Sequence, residues 1–169
     1  MIFDKQNQFS AGKLAAEFTR TAGTSILGDV IDLWGGNAAQ GSPLPQGVNG
    51  PIGGPGVALI GRLDEIEVYV QCTEAFVSGG TGTVIFQLVG KAADATLTAG
   101  ATILSATQSV TADAAGANLP AGTILKLTGD IGKIDGLRYL GILVIVGTAT
   151  MTAGMVAAGI VRDGQSLYG

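Results

Sequence analysis

Residues 63–73 (LDEIEVYVQCT) decide the fold. Ile66, Val68, Val70 and Cys72 alternate with Glu65, Glu67, Tyr69, Gln71 and Thr73. A period of two sends alternate side chains to opposite faces of an extended chain, so the run predicts a strand with one buried and one wet face. Ser78-Gly79-Gly80-Thr81-Gly82 follows with turn chemistry, and residues 83–89 (TVIFQLV) resume the alternation with Val84, Phe86 and Leu88 on one face. The pair reads as a hairpin.

Working outward, the same rhythm recurs. Residues 25–34 (SILGDVIDLW), 101–110 (ATILSATQSV) and 123–128 (TILKLT) are strand-length runs between glycine or proline breaks. Residues 137–146 (LRYLGILVIV) are almost wholly apolar, as in a strand covered on both faces, and residues 151–161 (MTAGMVAAGIV) close the series after Gly147. Ahead of the strands, residues 11–20 (AGKLAAEFTR) place Leu14, Ala15 and Phe18 at helical spacing behind Ser10 as a cap, which predicts one or two helical turns. Seven or eight short strands at this spacing predict one all-β domain over residues 1–169. The architecture expected is an antiparallel sandwich, most plausibly a jelly roll, with a short N-terminal helix inside a 1–23 leading segment.

Residues 35–56 (GGNAAQGSPLPQGVNGPIGGPG) break the rhythm with eight glycines and four of the five prolines. Proline lacks a backbone donor and glycine is entropically costly to order, so no regular ladder is expected there. No charge occurs from Leu33 to Gly61. The segment reads either as an extended arm inserted after the first strand or as a disordered loop. As an arm, its partner-contact candidates are Trp34, Pro43, Leu44, Pro45, Val48, Pro51, Ile52 and Pro55.

Composition narrows the chemistry. Histidine is absent, which removes the usual general base and the commonest metal ligand. A histidine-dependent β-barrel enzyme is therefore not expected, and no catalytic, cofactor or metal set can be assembled. The one cysteine, Cys72, lies on the apolar face of its strand and reads as a small buried hydrophobe. Asp64, Glu65 and Glu67 read as the solvated side of the same strand, since no loop of oxygen ligands accompanies them. Asp130, Lys133, Asp135 and Arg138 alternate in sign beside glycines, as in a solvated turn. The glycine groups 53–56 and 79–82 neither precede a Lys-Ser/Thr pair nor open a helix, so they are not phosphate loops. Nine basic side chains against thirteen acidic ones, with no basic run, argue against nucleic acid.

A bilayer span has to be weighed, because the 23 residues 139–161 are uncharged and mean hydropathy is +0.45. Four glycines and the Gly147-Thr148-Ala149-Thr150 break divide that interval into two strand-length pieces, so a β-hairpin is expected instead of a membrane helix.

The strongest compositional signal is a shortage. Charged residues make up 13% of the chain, against roughly 25% in ordinary globular proteins, and Lys91 is the one lysine between Lys13 and Lys126. Small β domains guard their edges and faces with charge, lysine above all. A sandwich this thinly charged is expected to be covered by copies of itself and by a larger partner surface.

The opening DKQNQFS (4–10), the run SILGDVIDLW (25–34) and the closing LRYLGILVIVGTATMTAGMVAAGIVRDGQ (137–165) resemble the jelly-roll cement, or capsid-decoration, proteins of tailed bacteriophages, of the kind described for a Bordetella phage. The likeness is most specific at Arg138-Tyr139-Leu140 and Thr152-Ala153-Gly154; residues 75–136 share only the strand rhythm. It implies a virion protein made in the host cytoplasm and placed on the outer surface of the capsid. Its partners would be the major capsid protein and itself, as a homodimer or, alternatively, a trimer, with no enzymatic activity, no cofactor, no nucleic acid and no membrane. The chain departs from the family where Asp32-Leu33 runs into Trp34-Gly35 and the arm instead of closing quickly as Asp-Leu-Gly. The other reading of the same residues is a tail- or fibre-associated module that recognises a glycan or a tail partner.

Overall fold

The computed structural model describes residues 8–18, 22–32, 65–93, 95–130 and 137–161. Their elements run β1 (Gln8–Leu14), α1 (Ala15–Phe18), β2 (Gly23–Ile26), β3 (Ile31–Asp32), β4 (Glu65–Ser78), β5 (Gly82–Lys91), β6 (Thr102–Ala106), β7 (Val110–Ala112), β8 (Ile124–Asp130), β9 (Tyr139–Gly147) and β10 (Met151–Val161). One sheet has the order β1-β10-β4-β8. The other has the order β2-β9-β5-β6, with β3 also on β9 and β7 also on β5. Every pairing is antiparallel, and the two sheets form an all-β sandwich.

The inner faces supply the core. Val68, Val70, Cys72 and Phe76 of β4 face Val84, Phe86 and Leu88 of β5 and Leu140, Ile142, Val144 and Val146 of β9, all buried in one cluster. Phe76 and Phe86 meet edge to face, with centroids 6.1 Å apart and planes at 87°. That geometry sets the positive ring edge of one against the negative face of the other. Gly154 makes room for Phe76. It sits at φ 134°, and a Cβ there would lie 2.9 Å from the ring.

The strand at 63–73 extends further than expected, to Ser78, and it does not form a hairpin with β5. The two strands belong to opposite sheets. The cause is Ser78, whose wholly buried hydroxyl accepts hydrogen bonds from the Gly80 and Gly82 amides at 3.3 and 3.2 Å and donates to the Thr150 carbonyl at 3.0 Å. A side chain held this way steers the chain through the thickness of the sandwich instead of back along the same sheet. The expected hairpin over 139–161 is corrected in the same manner, since β9 and β10 also lie in opposite sheets. Their connection carries Thr148 at φ 63°, an unusual conformation for a β-branched residue, with its hydroxyl bonded to the Thr81 and Gly147 carbonyls. The two crossings thus brace each other at one end of the molecule.

Residues 11–14 are strand, not helix: Lys13 and Leu14 pair with Val156 and Met155 of β10, leaving α1 as a single turn. Gly12 at φ 64° and the register shifts on either side of Ser10 bend β1, so Ala15 and Phe18 reach the core from its end. The run 25–34 is likewise interrupted. Gly28, at φ 67°, lies so close to β1 that a Cβ would come within 2.3 Å of the Phe9 carbonyl oxygen, which accepts a bond from the Asp29 amide at 2.7 Å. The run 101–110 divides into β6 and β7 because Thr107 clamps Phe86 between them. Its amide donates to the Phe86 carbonyl at 2.9 Å and its hydroxyl accepts from the Phe86 amide at 3.1 Å.

Strand β9 is covered on both faces, as its composition predicts. Outside the main core, Leu143 packs with Val89 and with Leu97 from the β5–β6 connection, joined by Ile26, Val30, Ala101 and Tyr139. Lys91 secures that connection by donating to the Thr96 and Ala99 carbonyls at 3.1 and 3.0 Å.

Candidate interaction surface

The side chains with chemical potential are placed in structural surroundings. Cys72 is buried against the opposite sheet, and loss of solvation raises its thiol pKa to about 11. A thiol so placed is neutral and shielded at physiological pH, which suits packing and not nucleophilic attack. Glu67 forms an ion pair with Lys126 across the β4–β8 ladder and accepts a hydrogen bond from the Tyr69 hydroxyl at 3.0 Å. The Lys126 hydrogen bond is the main cause that holds the Glu67 carboxyl below its ordinary range. Burial, followed by the neighbouring Glu67, pushes the Tyr69 phenol up. Among the described residues no three His, Cys, Asp or Glu side chains gather as metal ligands would.

The second charged group is described only in part, because residues 131–136 lie outside the described residues. Arg138 stacks over the Tyr139 ring, 4.8 Å from its centroid. At the braced end, Asp113 turns its carboxylate onto the Ala115 and Ala117 amides at 3.0 and 2.9 Å, a local loop cap.

What stands out is the outer face of the β10 sheet. Antiparallel sheets with one face to water normally alternate apolar and polar residues. Strand β4 alternates, with half-buried Glu67 and Gln71, exposed Thr73 and the buried ring of Tyr69 opposite its core residues Val68, Val70 and Cys72. Strand β10 does not. Val156 and Ala158 enter the core, while the alternate set is Ala153, Met155, Ala157, Gly159 and Val161, with no polar side chain. Like β9, it is apolar on both faces. Leu97 and its neighbours cover the outside of β9 at Leu143. On the outer side of β10, Gly159 is buried and Ala153, Met155, Ala157 and Val161 are half-buried.

Register extends the patch across the sheet. Gln8, Gly159, Tyr69 and Lys126 share one row, and Ala157, Gln71 and Ile124 the next. Leu14, Met155 and Glu74 form a third. Leu14 and Ile124, on the two edge strands, are 41% and 46% exposed, and are two of the three large hydrophobic side chains open to solvent among the described residues.

The candidates Trp34, Pro43, Leu44, Pro45, Val48, Pro51, Ile52 and Pro55, and with them the 35–56 arm, lie outside the described residues. The β10 face is a surface the sequence reading passed over. Its signal was available in MTAGMVAAGIV, whose two-sided apolar character equals that of the strand before it.

No protein-family model and no curated protein matches this chain. No helix among the described residues is long and apolar enough to cross a membrane.

Proposed function

We propose that this chain is a structural, non-enzymatic virion protein that decorates the outside of a phage capsid, bridges major capsid protein subunits and associates with itself. Two sources support the reading: the resemblance in residues 4–10, 25–34 and 137–165, and the strand order of the sandwich. Counting β2 with β3 and β6 with β7 as single broken strands, the chain winds eight strands into two sheets of four. Their order, first-eighth-third-sixth and second-seventh-fourth-fifth, supports reading the sandwich as two interleaved Greek keys, the arrangement of a jelly roll.

The observation that carries the functional reading is the pairing of a hydrogen-bonded, well-packed sandwich with a central strand, β10, whose outward set carries no polar side chain, and with exposed Leu14 and Ile124 on the edge strands. Such a protein gains from contact at roughly 25 cal/mol per Å² of apolar surface, before ordering costs. Repeated over a closed shell, modest contacts hold because many must break together.

The test is decoration in vitro. Purified chain is mixed with shells of its phage that lack it, and bound copies are counted by sedimentation and electron microscopy. Saturable, regular occupancy with greater resistance of the shell to heat is expected, as is loss of occupancy when residues 36–55 are deleted from an otherwise folded chain. Binding to a tail component or a glycan with none to shells would replace this reading by the tail-module alternative.

A further inference from the structure

We infer that two copies of this chain pair through the outer face of the β9–β5 sheet, about a twofold axis that crosses the strands at Gln87. The inference rests on the self-association proposed above and names a surface for it; the shell is not involved.

The face is a step. Thr83, Ile85, Gln87 and Val89 point outward from β5 because Val84, Phe86 and Leu88 point into the core. Register carries their rows onto β9, with Val89 beside Gly141, Gln87 beside Leu143, Ile85 beside Ile145 and Thr83 beside Gly147. The cover that Leu97 gives β9 stops at Leu143. Residues 95–101 pass over the Val89 row, where Leu97 fills the space above Gly141, and reach the Gln87 row at Leu143. Ile85 and Ile145 belong to neither buried cluster, and Thr24, beside Ile145 on β2, is exposed. One half of the face is therefore raised and the other is bare sheet.

A step is the complement of its own copy. A twofold axis along the edge of the step, across the strands, turns each raised half onto the bare half of the other copy. Exposed Thr96 and Thr98 on the raised half then reach the partner's Ile85 and Ile145. Ile103, 54% exposed beside Val89, is carried over the partner's β7. The edge itself is the Gln87 row, so Gln87 meets the partner's Gln87 on the axis. A primary amide both donates and accepts, and two of them face to face form a reciprocal pair of hydrogen bonds.

Charge agrees. On this face the rows from Gly141 to Gly147 carry no charged side chain, and residues 95–101 (ATLTAGA) carry none either. The other sheet presents Glu67 and Lys126. Two copies of net charge −4 can therefore meet here without setting like charges together.

Size agrees as well. The bare half spans four strands about 4.8 Å apart and about five residues rising ~3.3 Å each, roughly 320 Å². The raised half covers an equal area of the other copy, so the pair buries about 1,300 Å², at the lower end of stable specific interfaces.

The experiment is sedimentation equilibrium of the full chain and its variants, with circular dichroism to confirm folding. Wild type is expected to be a dimer in the micromolar range. Gln87→Glu and Gln87→Lys each set like charges on the axis and are expected to weaken the dimer about tenfold or more. Mixed in equal amounts, the two variants set Glu against Lys and are expected to recover most of that loss. Thr98→Arg, on the exposed crest of the step, is expected to weaken the dimer about tenfold, and Glu74→Lys, on the other sheet, to leave it unchanged. Thr98→Arg decides the matter if the Gln87 variants do not fold. A wild-type monomer at millimolar concentration overturns the inference. So does a dimer indifferent to Thr98→Arg, or a mixture of the Gln87 variants that associates no better than either alone. A dimer that ignores shells refutes the capsid reading and leaves this one standing; a monomer that decorates shells does the reverse.

Discussion

Leu97 occupies the space that a side chain on Gly141 would need: a Cβ there would lie 2.3 Å from the Leu97 Cδ1. The relationship closes the outer face of the β9 sheet, with Leu97 almost wholly buried on the strand beneath it.

Gly141→Ala is therefore expected to destabilise by about 1–3 kcal/mol through overpacking, and Leu97→Ala by about 2–4 kcal/mol through the cavity it leaves. The double variant should cost less than the sum, because the truncated Leu97 no longer collides with the new methyl. Urea denaturation of the four proteins checks this, and strict additivity would show that the two residues do not share that space.

Two buried serines should respond in opposite directions. Ser78→Ala strands the Gly80 and Gly82 amides, one of them fully enclosed, and should cost about 1–3 kcal/mol. Ser10 is 5% exposed and its hydroxyl has no hydrogen-bond partner among the described residues. Ser10→Ala removes an unsatisfied polar atom, so stability should hold or rise by up to about 1 kcal/mol. Thermal melts of both proteins give the two signs directly.

Cys72 should be inert while the protein is folded. Burial and a pKa of about 11 leave little thiolate at pH 8, so a thiol reagent should modify Cys72 only at the rate at which the chain opens, and at once in denaturant. Rapid labelling of native protein would mean that the core opens locally at β4.

Glu67 gives a pH dependence of known sign. Its carboxyl pKa is lowered on folding, so the stabilisation is present above the unfolded value of about 4.3 and is lost as pH falls through the folded pKa. Both partners are substantially solvent-exposed, so the effect should not exceed about 0.5 kcal/mol. Carbon-detected NMR titration should place the Glu67 midpoint below the ordinary range in wild type and return it upward in Lys126→Met.

Much of the fold was legible because alternation is local. Val68, Val70 and Cys72, then Val84, Phe86 and Leu88, declared their buried faces by spacing alone, and the unbroken apolar run of β9 declared cover on both sides. Cys72 could be placed as a core residue for the same reason. The helix expected over residues 11–20 went astray because Leu14, Ala15 and Phe18 span the junction of a bent strand and a single turn, and spacing does not register the bend at Gly12.

The sequence by itself determined the class: a β-rich chain without histidine, with one shielded thiol and too few charges to cover its own surface. It could not decide which strand paired with which. Turns at residues 79–81 and 148–150 have the composition of hairpins, and became crossings between sheets only because Ser78 reaches Thr150 and Thr148 reaches Thr81 across the end of the sandwich. Those bonds join residues about 70 positions apart, and no local pattern encodes a contact between them. The same holds for the β10 face. Its apolar residues are written in the chain, but how deeply each is buried, and that those of β9 are sealed by Leu97, follows from where each strand falls in the folded sheets.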